Sequence, residues 1–93
     1  MGRYLVIWEI NNPRLSEDPQ EQLAYIKASM QGVQAGYDAG MIKEWGAFVG
    51  GEKGFGIYEG SAVEVAAFLQ QFSPWASDEV YPFITLDEVG AML

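Results

Sequence analysis

The sequence contains no cysteine and no histidine, and it has only 5 basic residues against 13 acidic ones, a net charge of −8. Each shortage excludes a class of function. Without cysteine there is no disulfide framework, zinc ribbon, thiol nucleophile or iron–sulfur site. Without histidine there is no Ser-His-Asp triad, no imidazole-ligated haem and no side chain that ordinarily titrates near neutral pH. The scarcity of Lys and Arg argues against nucleic acid or an anionic membrane as partner, because both are held by clustered cations. Long apolar runs are also missing. No stretch approaches the 18 or so residues needed to span a bilayer.

What remains is a chain of 93 residues, 49% of them apolar, enough for a single domain over 1–93. A domain of this size buries only about 60–65% of its unfolded surface. With no disulfide or metal to help, oligomerisation is the expected support. The apolar start is short, is interrupted by Glu9 and lacks a small-residue cleavage site, so it does not read as a signal peptide. Val6 stands where a myristoylation signal needs Ser or Thr. The expected compartment is the reducing cytoplasm.

The hydrophobic periodicity sets out the elements. Residues 3–10 read as a strand, with Tyr4, Val6, Trp8 and Ile10 on one face and Leu5 and Ile7 on the other, the pattern of a strand covered on both sides. Asp18, Pro19 and Glu21 give a helix start with a capping-box pattern. Leu23, Ile26, Met30, Val33 and Tyr37 recur at helical spacing as its core stripe, and Gly40 stops it. Strands are expected over 41–49 and 53–59, joined by Gly50-Gly51-Glu52. Ser61 and Glu64 form a second capping box, opening a helix with Val65, Phe68, Leu69 and Phe72 inward. A last strand is expected over 80–86, followed by a short tail over 87–93 with room for one helical turn.

The economical arrangement of this βαββαβ order is the ferredoxin-like α+β fold: a four-stranded antiparallel sheet with two helices on one face. The first and third strands are then central, and Pro82 suits an edge. Two helices cover one sheet face only, while the first strand is apolar on both. A second copy of the chain, sheet against sheet, is the expected cover, and an amphipathic tail folded underneath is the alternative.

Several residues are candidates for chemistry. Ala24, Ala28, Gly32, Gly36 and Gly40 recur every four residues, allowing either close packing or room for a ligand. Gly46, Gly54 and Gly56 weaken the strands that contain them, and mark either a cavity floor or a bulge with strong twist after the Gly50-Gly51 hairpin. Acid–base work would fall to Glu, Tyr or Lys. Glu44 and Glu9 are the leading candidates, with Tyr58 as donor, set against solvated or ion-paired carboxylates. The doublets Glu17-Asp18, Asp78-Glu79 and Asp87-Glu88 read as caps and strand ends, and no metal site or cofactor is expected. Trp8 and Trp45, with an aromatic content of 14%, suit a flat apolar pocket as well as an ordinary core.

The Trp8-Glu9-Ile10 end of the first strand, Trp45, Gly54-Phe55 through Glu59, Trp75-Ala76 and Pro82 together resemble the dimeric α+β barrel superfamily. The resemblance covers nearly the whole chain. It is nearest to small uncharacterised bacterial and archaeal members, and more distant from muconolactone-isomerase-like and YciI-like proteins. It implies a sheet-to-sheet homodimer with pockets between sheet and helices, in a superfamily that includes isomerases and cofactor-free oxygenases. Those relatives are expected to carry a histidine where this chain has Gly46, so histidine-dependent chemistry does not transfer.

The expectation is therefore a homodimer with a pocket for a small apolar or aromatic molecule, formed around Trp8, Trp45, Gly46, Gly54 and Gly56. Proton transfer of isomerase or cofactor-free oxygenase type would use Glu44 or Glu9 with Tyr58. The alternatives are a non-catalytic binding or regulatory module, or an assembly element whose interface is its function.

Overall fold

In the computed structural model, which describes residues 2–11 and 17–93, the elements are β1 (Gly2–Ile10), α1 (Pro19–Asp38), β2 (Ile42–Ala47), β3 (Lys53–Gly60), α2 (Ala62–Gln70), β4 (Ala76–Phe83) and α3 (Leu86–Ala91). The fold is α+β. Its four antiparallel strands run in the order β2-β3-β1-β4, placing β1 and β3 at the centre, as the sequence implies. Among the described residues there are three helices, the two expected and α3, which extends the single turn read in the tail. No helix of the described residues is long and apolar enough to cross a membrane.

Local chemistry explains the helix ends. Asp18 caps α1, its Oδ1 accepting from the Gln20 N–H at 2.9 Å, with Pro19 in the first turn. At the other end Gly40 adopts φ +79°. Its N–H donates to the Tyr37 carbonyl and the Met41 N–H to the Gly36 carbonyl, both at 3.0 Å. This is the Schellman arrangement, and a left-handed residue is what it requires. Ser61 and Glu64 form the expected capping box, with both bonds at 3.1 Å. The extra helix has the same origin. Thr85-Leu86-Asp87-Glu88 is a capping box of the same kind, closed by bonds from the Thr85 and Glu88 amides.

The strand register fixes the two faces. Tyr4, Val6, Trp8 and Ile10 pair across β1 and β3 or β4 with Tyr58, Gly56, Gly54 and Ala76 and with Pro82, Val80 and Asp78. This face carries the helices. The Cβ that Gly36 of α1 lacks would lie 2.6 Å from Ile42 and 2.9 Å from Phe68 of α2, whose ring meets Tyr58 at 5.6 Å. Val6, Val33, Ile42, Tyr58 and Val65 form the buried core. Leu5, Ile7, Phe55, Ile57, Tyr81 and Phe83 share the opposite face with Arg3, Glu9, Glu59 and Glu79.

Three expectations are corrected. β4 begins at Ala76 and ends at Phe83, four residues earlier at its start than the 80–86 reading, because the Asp78-Glu79 doublet lies within a ladder that β1 completes. In α1 only Val33 of the large stripe is buried, while Leu23, Ile26, Met30 and Tyr37 remain exposed. The helix instead approaches its neighbours through Gly32 and Gly36, and Gly36 is buried. Finally, the irregularity in the β2–β3 ladder falls between Ile42 and Glu44, not after the hairpin. It turns Ile42 toward the core while Glu44 and Gly46 follow the opposite face.

Candidate functional site

The glycines of β3 are the foundation of the site. A Cβ on Gly54 would overlap the Trp8 indole and the backbone carbonyl of Gly46, and one on Gly56 would sit 2.5 Å from the Tyr58 ring. These two positions must be glycine so that two large rings can lie flat across the sheet. Trp8 then stacks on Trp45 of β2, with centroids 5.2 Å apart and planes within 7°. Such offset aromatic pairs contribute about 0.5–1.5 kcal/mol beyond the area they bury.

Above these rings a cavity of about 100 Å³ opens between the sheet, α1 and α2. Its aromatic wall is Trp8, Tyr25, Trp45, Tyr58 and Phe72, and aliphatic side chains of α1, including Met30 and Val33, complete it. Asp78 of β4 also lines it, as the only charged residue among the described ones that do. The small-residue stripe of α1 does not provide the space. The space beside Gly32 is taken by Gln71 and Phe72 and that beside Gly36 by Ile42 and Phe68, so close packing holds at these two positions, while nothing lies within 4 Å of Gly40.

Two polar groups in this region are under-satisfied. The Trp8 Nε1 N–H is buried with no hydrogen-bond partner among the described residues, a situation that costs about 1–3 kcal/mol relative to a paired group. The Asp78 carboxylate is half-buried, and burial raises its pKa above the ordinary aspartate value. No hydrogen bond or ion pair to it is made among the described residues. The Tyr58 phenol is 2% exposed. Burial pushes its pKa far up, and the charges of Asp78 and Tyr37 push it further, so Tyr58 is a neutral O–H donor at any physiological pH.

The candidate residues divide between the two faces. Trp8, Trp45 and Tyr58 line the cavity. Gly54 and Gly56 lie beneath its rings. Gly46 faces the other side, where its missing Cβ would meet the Phe55 ring at 2.9 Å. Glu44 and Glu9 are exposed and belong to the face opposite the cavity, Glu44 opposite Ile57 and Glu9 beside Lys53, whose Nζ is 3.8 Å from its carboxylate. Neither reaches the cavity, because a one-residue step in a strand reverses the face. The acid that does reach it is Asp78, set aside in the sequence as a strand-end doublet. The signal that finds it is the alternation Ala76, Asp78, Val80, Pro82, legible once β4 starts at Ala76.

Among the described residues, no group of three or more acidic side chains is placed to hold a metal ion. The arrangement can bind a small apolar body and place one carboxylate and one neutral phenol against it. Compared with known proteins, the sequence matches no family model and no curated protein.

Proposed function

We propose that this chain is a cytoplasmic small-molecule-binding domain of the ferredoxin-like, dimeric α+β barrel kind. Its helix–sheet cavity holds the apolar body of a ligand, and Asp78 and Tyr58 supply the polar contacts. The observation that carries this reading is the aromatic cavity itself, with the Asp78 carboxylate on its wall. Few small domains keep an open apolar space of this kind unless something occupies it.

A homodimer is part of the proposal, and the areas support it. The chain exposes 6356 Å², where a compact 10.3 kDa monomer exposes about 5,400 Å². The excess is close to the roughly 800 Å² that each partner buries in a standard interface. The radius of gyration is 14.7 Å, against about 12 Å for a compact chain of this length. The uncovered sheet face offers the surface. Tyr81 there is 50% exposed and Phe48, in contact with Phe55, 44%, with Leu5, Ile7 and Ile57 between them only half-covered.

Benzyl alcohol, a neutral single-ring probe, tests the cavity. It should shift the indole N–H signals of Trp8 and Trp45 in a saturable way. An absence of any saturable shift with benzyl alcohol and with its charged analogues benzylammonium and benzoate alike overturns the binding reading. Sedimentation as a stable monomer at micromolar concentration would overturn the dimer.

A second reading is proton transfer of the isomerase or cofactor-free oxygenase type. The raised Asp78 carboxyl beside the un-ionised Tyr58 phenol favours it. Asp78 takes the role that the sequence assigned to Glu44 or Glu9. For a small cyclic β,γ-enone, Asp78 would remove the proton between the carbonyl and the alkene and return it at the far alkene carbon, while Tyr58 donates to the carbonyl oxygen. Conversion of 3-cyclohexenone to the conjugated enone, followed by ultraviolet absorbance, should then depend on Asp78 and survive Glu44→Gln. Equal rates with and without protein would reject this reading.

A further inference from the structure

We infer that the cavity selects a small organic ammonium, a positively charged amine carried on a single ring or an equally compact apolar body. The inference rests on the cavity-binding reading above and names its ligand class. Three features carry it. First, the wall is built from the faces and edges of Trp8, Tyr25, Trp45, Tyr58 and Phe72. Aromatic faces carry negative quadrupole charge and attract cations, most strongly when water is excluded. Second, Asp78 is the only charged group among the described residues lining the space, and among those residues its carboxylate has no partner. A half-buried, unpaired carboxylate is destabilising, and an incoming cation removes that penalty, whereas a neutral ligand leaves it and an anionic one adds repulsion. Third, the whole chain carries −8, so its field concentrates cations and repels anions at the surface.

Size limits the ligand to one ring. The cavity is about 100 Å³, smaller than the roughly 150 Å³ that encloses benzene in an engineered core. Met30 lines it while remaining 46% exposed, and its unbranched side chain can shift to admit a slightly larger body. The cross-strand neighbour of Asp78 is Trp8, so an ammonium held at the carboxylate lies beside the stacked indoles.

The test compares three probes of nearly one shape at pH 7 and constant ionic strength: benzylammonium, benzyl alcohol and benzoate. Binding is followed through the Trp8 and Trp45 indole signals. The expected result is that benzylammonium binds at least about tenfold more tightly than benzyl alcohol, with benzoate weakest, as charge-assisted hydrogen bonding and cation–π attraction add to ring burial. Asp78→Asn should cut the preference for benzylammonium over benzyl alcohol at least about threefold, leaving only what the aromatic wall and the chain's net charge contribute. If benzyl alcohol binds as tightly as benzylammonium to the wild type, the ammonium inference falls and the cavity reading stands. If none of the three binds saturably, both fall. An undiminished ammonium preference in Asp78→Asn also overturns the inference. Should that variant not fold, nuclear Overhauser contacts between the benzylammonium methylene and the Trp8 and Trp45 indoles locate the ligand in the wild type. Contacts confined to residues outside the cavity would then overturn it.

Discussion

Gly32 and Gly36 lie one turn apart on α1, yet the same substitution should move stability in opposite directions. Replacing a helix-interior glycine by alanine gains about 1 kcal/mol of helix propensity at either site. The difference lies in what the new methyl meets. At Gly32 it meets the Oε1 of Gln71 at 2.6 Å, the far end of an exposed side chain, and then only the Phe72 ring edge at 3.4 Å. Gln71 can swing aside at the cost of an exposed bond from its Nε2 to the Phe68 carbonyl. Gly32→Ala should therefore stabilise the fold by about 0.5–1 kcal/mol. At Gly36 the methyl meets Ile42 Cδ1 at 2.6 Å, Ile42 Cγ1 at 2.9 Å and Phe68 Cζ at 2.9 Å. Ile42 is 2% exposed, and Phe68 is held between the Tyr58 and Phe72 rings, each 5.6 Å away. Neither can yield without moving the core. Overpacking of this kind costs about 1–3 kcal/mol, which outweighs the propensity gain. The two variants should differ by about 2 kcal/mol, or roughly 8–16 °C in Tm for a domain of this size. Thermal unfolding followed by circular dichroism, at matched protein concentration, measures this directly. If Gly36→Ala proves as stable as Gly32→Ala, α1 does not approach β2 and α2 through that glycine, and the account of helix packing is wrong.

Other outcomes follow from the same geometry. Gly54→Ala should be the most damaging single methyl addition in the sheet, costing about 3 kcal/mol or more, because it strikes the Gly46 carbonyl and the Trp8 ring, and backbone cannot rotate away; urea unfolding reads the loss. Ser61→Ala removes the oxygen that accepts from the Glu64 amide and should cost about 1 kcal/mol, seen as a lower urea midpoint with an unchanged slope. Because the folded-state pKa of Asp78 is raised by burial, the native state holds that proton more tightly than the unfolded chain. The stability linked to it is therefore complete below the unfolded aspartate pKa, about 3.9, and is lost as pH rises through the folded value. Asp78→Asn should accordingly be more stable than wild type at pH 7 and lose that advantage toward pH 3; equal stability of the two proteins at pH 7 would contradict the burial of this carboxylate.

Much was legible in the sequence because it depends on neighbours along the chain. The caps at Asp18 and Ser61, the stop at Gly40, the alternation of β1 and the central place of β1 and β3 follow from hydrogen-bonding capacity, backbone sterics and hydrophobic period. The aromatic half of the site was legible too, since Trp8, Trp45 and Tyr58 sit on strand faces that alternate in register with the buried Val6. The acid was not. Choosing among carboxylates requires knowing which face each strand presents, and a one-residue shift reverses that face. The irregularity between Ile42 and Glu44 carries Glu44 to the far side, and the early start of β4 brings Asp78 to the near one. Sequence by itself determined the order of the four strands and first two helices and the absence of thiol and imidazole chemistry, all of which are local or compositional. Only the tertiary structure decided that Gly54 and Gly56 are covered by rings, that α1 packs through glycines while its large side chains stay exposed, and that Asp78, alone among the described residues, brings charge to the cavity. Those outcomes depend on contacts between residues far apart in the chain, where packing volume and strand register, not local propensity, determine which side chain faces which.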